Sequence, residues 1–180
     1  MVSYLYRFPD VQLWGQLGRQ VLSGWQVNGV TTLVSGTPFT VTSGVDTNRD
    51  GSNNDRVNVL GDPYTHATSR KDKITAYIKP AAFSTPGFAT AADNPYGNEQ
   101  RNQLIGPGNI NTNLSLFKEF PIFREARLQF RAESFNIFGN VNLNNPRTNF
   151  SVFRVLPSTQ TQITGSGDPR RLQFAAKLLF

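Results

Sequence analysis

The sequence predicts an all-β chain of antiparallel amphipathic strands joined by long polar loops. Three observations predict it. Apolar and polar residues alternate with a period of two along several separate runs, as in a strand whose two faces meet different surroundings. Charged residues make up only 17% of the chain, against about 25% in an ordinary soluble protein, and Asn, Gln, Ser, Thr and 14 Phe fill the difference. Helical periodicity is confined to residues 10 to 22, where Leu13, Leu17 and Val21 recur at four-residue steps beside Trp14. Gly15 and Gly18 weaken that stretch by about 1 kcal/mol each, so one or two turns on a connection are expected.

The strands follow in order. Val2, Tyr4, Tyr6 and Phe8 share a face opposite Ser3 and Arg7, and Pro9 ends the run. Between Gly24 and Gly36, Trp25, Val27, Thr31 and Leu33 oppose Gln26, Asn28 and Thr32, although Val30 and Val34 blur the second face. A short run sets Phe39 and Val41 against Thr40 and Thr42. The alternation is cleanest in the second half, where Ile110, Thr112, Leu114 and Leu116 oppose Asn111, Asn113 and Ser115. After a short connection, Leu128, Phe130 and Ala132 oppose Arg127, Gln129, Arg131 and Glu133. At Ser134-Phe135 the phase slips, which marks either a bulge or the strand's exit. In the last run Leu172, Phe174, Ala176, Leu178 and Phe180 oppose Arg171, Gln173 and Lys177. Residues 44 to 109 read as a long polar stretch punctuated by Gly and Pro, with weak structure.

Composition closes several functional classes. The 180 residues contain no Cys, which excludes disulfides, thiolate metal sites and Cys nucleophiles, and one His, which makes a Ser-His-Asp triad improbable. No phosphate-binding or dinucleotide fingerprint is present, and no nucleophile-elbow motif. Glu119, Glu125 and Glu133 lie among Lys118, Arg124, Arg127 and Arg131, where charge pairing explains them better than acid/base chemistry. The chain is therefore expected not to be an enzyme. The net charge of +6 suits an anionic membrane surface, a charged channel wall or nucleic acid. No apolar run reaches the length of a transmembrane helix, and residues 1–7 lack the basic start and apolar core of a signal peptide.

One apolar and one polar face fit a soluble sandwich with its apolar side inward. They also fit a membrane barrel with that side outward. Three features favour the barrel. Polar faces rich in Asn, Gln, Ser and Arg but poor in Lys resemble a wet interior. Tight turns alternate with long loops. Aromatic residues gather near strand ends, at Tyr4, Tyr6 and Phe8, at Phe117 and Phe120, and at Phe135 and Phe138. The rival is a soluble all-β binding module for glycan or nucleic acid.

Several segments carry a family resemblance by their order along nearly the whole chain. They include Gly24-Trp25-Gln26-Val27-Asn28-Gly29, Ser35-Gly36-Thr37-Pro38-Phe39, Asp50-Gly51-Ser52-Asn53-Asn54-Asp55-Arg56 and Arg101-Asn102-Gln103-Leu104-Ile105-Gly106-Pro107-Gly108. The most distinctive are Asn113-Leu114-Ser115-Leu116-Phe117-Lys118 and Leu128-Gln129-Phe130-Arg131-Ala132-Glu133-Ser134-Phe135-Asn136-Ile137-Phe138. In these the chain resembles the C-terminal end of Oar-like TonB-dependent outer-membrane receptors. The resemblance implies that residues 1–180 are a C-terminal fragment of a receptor barrel in the cell outer membrane. It also implies a role in the lipid-facing wall and loops, without catalysis or nucleic-acid binding. The partners implied are outer-membrane lipid, the barrel-assembly machinery and the remaining barrel and plug. A terminal aromatic preceded by apolar residues at two-residue steps, Phe174, Leu178 and Phe180, resembles the assembly signal of such barrels.

One further motif suggests a ligand. Asp46, Asn48 and Asp50 place side-chain oxygens two residues apart ahead of Gly51, as at the start of a calcium loop, and Asp55 supplies a late carboxylate. The twelfth position is Val57, where an EF-hand needs Glu. The alternative is an Asx-rich turn whose side chains bond their own backbone. Arg70-Lys71-Asp72-Lys73 reads as solvated loop charge, Arg170-Arg171 as the start of a strand, and His66 as a loop residue.

Overall fold

The computed structural model describes residues 1–10, 15–87, 94–123, 125–153 and 162–180. They form two compact units, one of Met1–Val34, Asn109–Asn142 and Asp168–Phe180, the other of Ser35–Gly108 and Leu143–Gly167. The first unit begins with β1 (Val2–Arg7), α1 (Gly15–Leu22) and β2 (Gln26–Val34). Within the second lie β3 (Pro38–Phe39), β4 (Asn58–Val59), α2 (Arg70–Thr75), a 3-10 turn (Pro80–Ala82), β5 (Phe83–Ser84) and β6 (Leu104–Ile105). The chain returns with β7 (Asn109–Phe123) and β8 (Ala126–Phe135), passes through α3 (Phe150–Phe153) in the second unit, and reaches β9 (Arg171–Leu179).

The first unit is one antiparallel sheet in the order β1-β2-β7-β8-β9. Residues directly opposite in such a sheet share a face, so the register decides what each face contains. Tyr4 opposes Gly29, Val27 opposes Leu116, and Leu116 opposes Ala132, which in turn opposes Phe174. Carried across the sheet, this register puts Val2, Tyr4, Tyr6, Val27, Leu33, Ile110, Leu114, Leu116, Leu128, Phe130, Leu172, Phe174 and Leu178 on one face. The other face collects Arg7, Gln26, Asn28, Asn111, Asn113, Ser115, Gln129, Arg131, Glu133, Gln173 and Lys177. A slip of one residue at any pair would turn a strand's apolar set over to the polar side. Every pairing keeps the apolar sets together. At Gly29 any Cβ would collide with the ring of Tyr4, so glycine there lets the aromatic side chain lie across β2.

The ends of the strands have local causes. Between β7 and β8 the register shifts at Pro121/Phe123, where proline offers no ladder donor. The phase slip after Ser134 is the exit of β8. Asn136 takes φ +52°, its side chain donates to the carbonyls of Asn140 and Asp168 at 2.8 and 3.1 Å, and its oxygen accepts the Asn140 N–H at 3.0 Å. Its own N–H donates to Asn113 Oδ1 at 2.9 Å. Of the helical stretch expected over residues 10 to 22, α1 supplies two turns. Leu13 and Trp14 lie outside the described residues.

The second unit corrects the reading of residues 44 to 109 as weakly structured. Phe39, Val41, Val57, Ile78, Ala82, Phe83, Leu104 and Phe150 form a buried cluster, with Val59, Tyr64 and Tyr77 packed against it. Short pairings frame it, β3 with β6 and β4 with β5. The run at 39–42 belongs here and not to the wall; Phe39 and Val41 are buried as the alternation expects, but the strand stops after Phe39. The basic cluster at 70–73 opens a short helix, capped by the Ser69 hydroxyl accepting the Asp72 N–H at 3.1 Å.

Candidate functional site

Every buried apolar side chain among the described residues lies in the second unit. The sheet has none, and Leu33, Ile110, Leu172, Phe174 and Leu178 on its apolar face stay exposed. That is the reverse of a soluble sandwich, which buries that face under a second sheet. Exposed apolar patches of this extent mark an interaction surface.

The polar face is internally bonded. Arg7 Nε donates to Gln26 Oε1 at 3.2 Å, and Gln26 Nε2 to Asn28 Oδ1 at 2.9 Å. Glu119 accepts from Gln129 at 3.2 Å and pairs with Arg127 at 3.6 Å, and Glu133 pairs with Arg131 at 3.6 Å. The charge pairing expected of Glu119 and Glu133 is thus formed. The Arg131 guanidinium lies 4.6 Å from the Phe117 ring centre, so Phe117 is a polar-face residue and does not join an aromatic girdle; the register gives Phe135 the same side. Arg171 opens β9 on the polar face and bonds Asp168 at 2.5 Å.

Among the described residues of the sheet, one charge stands on the apolar face. Lys118 is 2% exposed, and its Nζ donates to the Val21 carbonyl at 3.1 Å and to the Ser23 carbonyl. The last carbonyls of a helix have no intrahelical partner, and a cation there also complements the helix dipole. Trp25 and Phe120 cover the ammonium, their ring centres 5.2 and 5.0 Å away, and Trp25 Nε1 donates to the same Val21 carbonyl at 2.9 Å. Alternation alone marked Lys118 only as a basic neighbour of carboxylates. Its tie to α1 spans nearly a hundred positions and leaves no local trace.

In the second unit the residues 46 to 55 direct their oxygens at their own backbone. Asp46 accepts the N–H groups of Asp50 and Gly51 at 3.1 and 2.9 Å, Asn48 that of Asp50 at 2.9 Å, and Asp50 that of Ser52 at 2.8 Å. Asp55 turns away to Thr47 and Asn48, accepting both backbone N–H groups and the Thr47 hydroxyl at 2.5 to 3.0 Å. Burial raises its pKa, but these three bonds outweigh that and hold it below the usual value. Among the described residues no three carboxylate or imidazole groups converge on a point a cation would occupy. This turn network predicts equal proteolysis of the loop in calcium and in chelator. Protection by calcium that disappears in Asp50→Ala would assign an ion to the site.

Sequence reading missed Glu99. It is 1% exposed, and both carboxylate oxygens accept the Val41 N–H, at 2.9 and 3.1 Å. Arg56 donates to the Glu99 backbone carbonyl at 3.1 Å. Burial pushes the carboxyl up to about 7, and the Val41 bond and the Arg56 charge offset it only in part. The folded unit therefore holds a proton that the unfolded chain releases from pH 4.5 upward. Its stability is greatest below that value and is lost as pH rises toward 7, by an amount on the order of a few kcal/mol. Thermal melts across that window should show the decline, and Glu99→Gln should flatten it. An unchanged slope in the variant would remove Glu99 as its cause.

His66 and Lys79 both reach Asp62, at 2.9 and 3.1 Å, on the exposed surface. The Tyr64 N–H bond to Asp62, and then Lys79, hold that carboxyl down at about 2.

No curated protein and no solved structure matches the chain. A family model for an outer membrane beta barrel domain matches residues 1–173. With all five strands of the amphipathic sheet inside or overlapping that span, the chain belongs to the outer membrane beta-barrel domain family and forms part of a transmembrane β-barrel in the outer membrane.

Proposed function

We propose that this chain is part of the barrel wall of a TonB-dependent, Oar-like outer-membrane receptor or transporter. In this role it presents its apolar face to lipid and its polar face to the lumen, and it catalyses nothing. The observation that carries the lipid assignment is the split in burial, with an apolar core in the loop unit and none in the sheet. The receptor assignment rests on the ordered motifs, above all 113–118 and 128–138. Five strands are fewer than the eight of the smallest known single-chain barrels, so β1 and β9 each require a further strand on their open side. In the proposed assembly the remaining barrel strands and a plug supply the rest of the receptor.

Residues 1–180 contain no cysteine, so single substitutions here, in a receptor whose other cysteines are replaced by serine, give a clean labelling background. In intact outer membranes, cysteine at Gln129 should react with a small water-soluble maleimide, and cysteine at Leu116 should react only after detergent extraction. Equal labelling of both before extraction would overturn the lipid assignment. For the receptor assignment, loss of the TonB system should abolish uptake of the receptor's ligand without changing barrel assembly; undiminished uptake would refute it.

Among the described residues β9 is an edge strand, and Phe174, Leu178 and the adjoining Phe180 stay exposed; we propose that they are the signal read by the barrel-assembly machinery. Phe180→Asp should reduce insertion without reducing synthesis. Normal insertion would leave Phe180 a packing residue.

A further inference from the structure

We propose that Glu99 is a proton-held latch inside the second unit, joining the β2–β7 connection, which contains it, to the β8–β9 connection at residues 148–151. With its proton the carboxyl fixes residues 41–43, and those residues hold 148–151. Loss of the proton opens both contacts while the rest of the unit stays folded.

The junction is built on the run 41–43, which is bonded along both edges. On one edge the Thr42 N–H donates to the Thr148 carbonyl at 2.8 Å, the Thr42 carbonyl accepts the Phe150 N–H at 2.8 Å, and the Ser43 carbonyl accepts the Ser151 N–H at 3.0 Å. On the other, the Ser43 N–H goes to the Asp55 carbonyl at 2.6 Å and the Val41 N–H to the Glu99 carboxyl. Successive residues of an extended chain turn their N–H groups to opposite edges, so Val41 and Ser43 share the edge that Thr42 does not use. At Val41 a side-chain oxygen takes the place of a ladder carbonyl. The three backbone bonds to 148–151 therefore depend on a run whose first residue is anchored by a carboxyl group.

That carboxyl sits where charge is unfavourable. Glu99 is 1% exposed, and its own N–H is fixed to the Val57 carbonyl at 3.2 Å, just after the turn at Gly97 with φ +70°. Arg56 is the cation that faces it, but the guanidinium bonds the Glu99 backbone carbonyl. Asp55 directs its carboxylate to Thr47 and Asn48. The runs 40–43 and 148–151 contribute no charged residue, and Arg101 and Arg147, the nearest charges along these segments, are exposed. Among the described residues no ion pair reaches the carboxyl. Burying an unpaired carboxylate is strongly unfavourable, so the closed junction keeps the proton.

Once ionised, the group reaches water by leaving Val41. The run 41–43 then keeps only the Ser43 bond on that edge, and the contact with 148–151 loses its support. Ties elsewhere between the two connections carry no titratable group. The Ile163 N–H donates to the Ile74 carbonyl at 3.0 Å, and the Thr37 hydroxyl donates to Asn145 at 2.9 Å. They hold the β8–β9 connection in place, so the opening stays local.

Amide hydrogen exchange in the assembled full-length receptor reads the latch, with protection corrected for the chemical exchange rate at each pH. Peptides covering 41–43 and 148–151 should lose protection together, about tenfold per pH unit from 4.5 to about 7, and level off above. Residues 77–83, which the junction's hydrogen bonds do not involve, should stay better protected throughout. Equal protection of all three segments would mean that only the unit as a whole opens, and would overturn the latch. Loss at 41–43 with none at 148–151 would overturn the coupling between the connections. Glu99→Gln keeps an acceptor for Val41 and does not ionise, so its protection should be independent of pH; a surviving slope would remove Glu99 from the device. Arg56→Gln, at an exposed position, takes away the cation that favours the ionised form and should move the levelling-off to higher pH. An unmoved profile would assign the proton to another group.

Discussion

Leu116→Arg should destabilise the assembled barrel by about 2–4 kcal/mol, while Ser115→Arg, one residue away, should change it by less than about 1 kcal/mol. The two positions differ only in face. Leu116 lies in the apolar row between Val27 and Ala132, and an arginine there must leave water at mid-band. Ser115 lies on the polar face directly opposite Glu133, which would receive the new charge. Denaturant titration of the folded barrel in vesicles measures both. Equal losses would mean that the sheet does not separate two media. Asn113, which alternation alone would offer as a neutral control, is a poor choice because its Oδ1 accepts the Asn136 N–H that ends β8.

A second large effect belongs to the loop unit. Ile78 is fully buried in its core, and Ile78→Ala should cost about 2–5 kcal/mol through lost transfer energy and the cavity left behind. Loss of that core should expose the basic segment at Arg70–Thr75 to trypsin while the wall stays folded, because no strand of the sheet draws its burial from this cluster. Cleavage at residues 70–73 under native conditions reads the first effect, and the resistance of the folded barrel to denaturation in detergent reads the second. Unchanged cleavage would show that the cluster does not hold the unit together.

The wall was legible because its physics is local. Each strand meets two media, so every second side chain of β7, β8 and β9 repeats the same choice and the period shows in the bare sequence. The loop unit obeys a different rule. Apart from Phe39 and Val41, whose alternation shows in the sequence, its members Val57, Ile78, Leu104 and Phe150 lie tens of residues apart and are brought together only by contacts distant in the chain. No window of a dozen residues contains enough of them to show a period, and the stretch therefore reads as loop. The site was legible to the same degree. Exposed apolar faces announce themselves through alternation, whereas Lys118 and Glu99 owe their roles to partners at Val21 and Val41 that no spacing rule connects.

The core built by the loops also bears on the order in which the molecule forms. Pairing β2 with β7 means closing a connection of about seventy residues, Ser35–Gly108, and the entropy of that closure must be met before any wall contact rewards it. Within the connection, Pro38 pairs with Ile105 and Phe39 with Leu104, while Val34 pairs with Asn109 further out. The position numbers of each pair add to the same value, so the β3–β6 pairing keeps the register in which β2 meets β7. Only a few residues per side are then left to search. A ladder closed from that short pairing would form at a rate sensitive to substitutions at Phe39 and Leu104, although neither residue belongs to the wall.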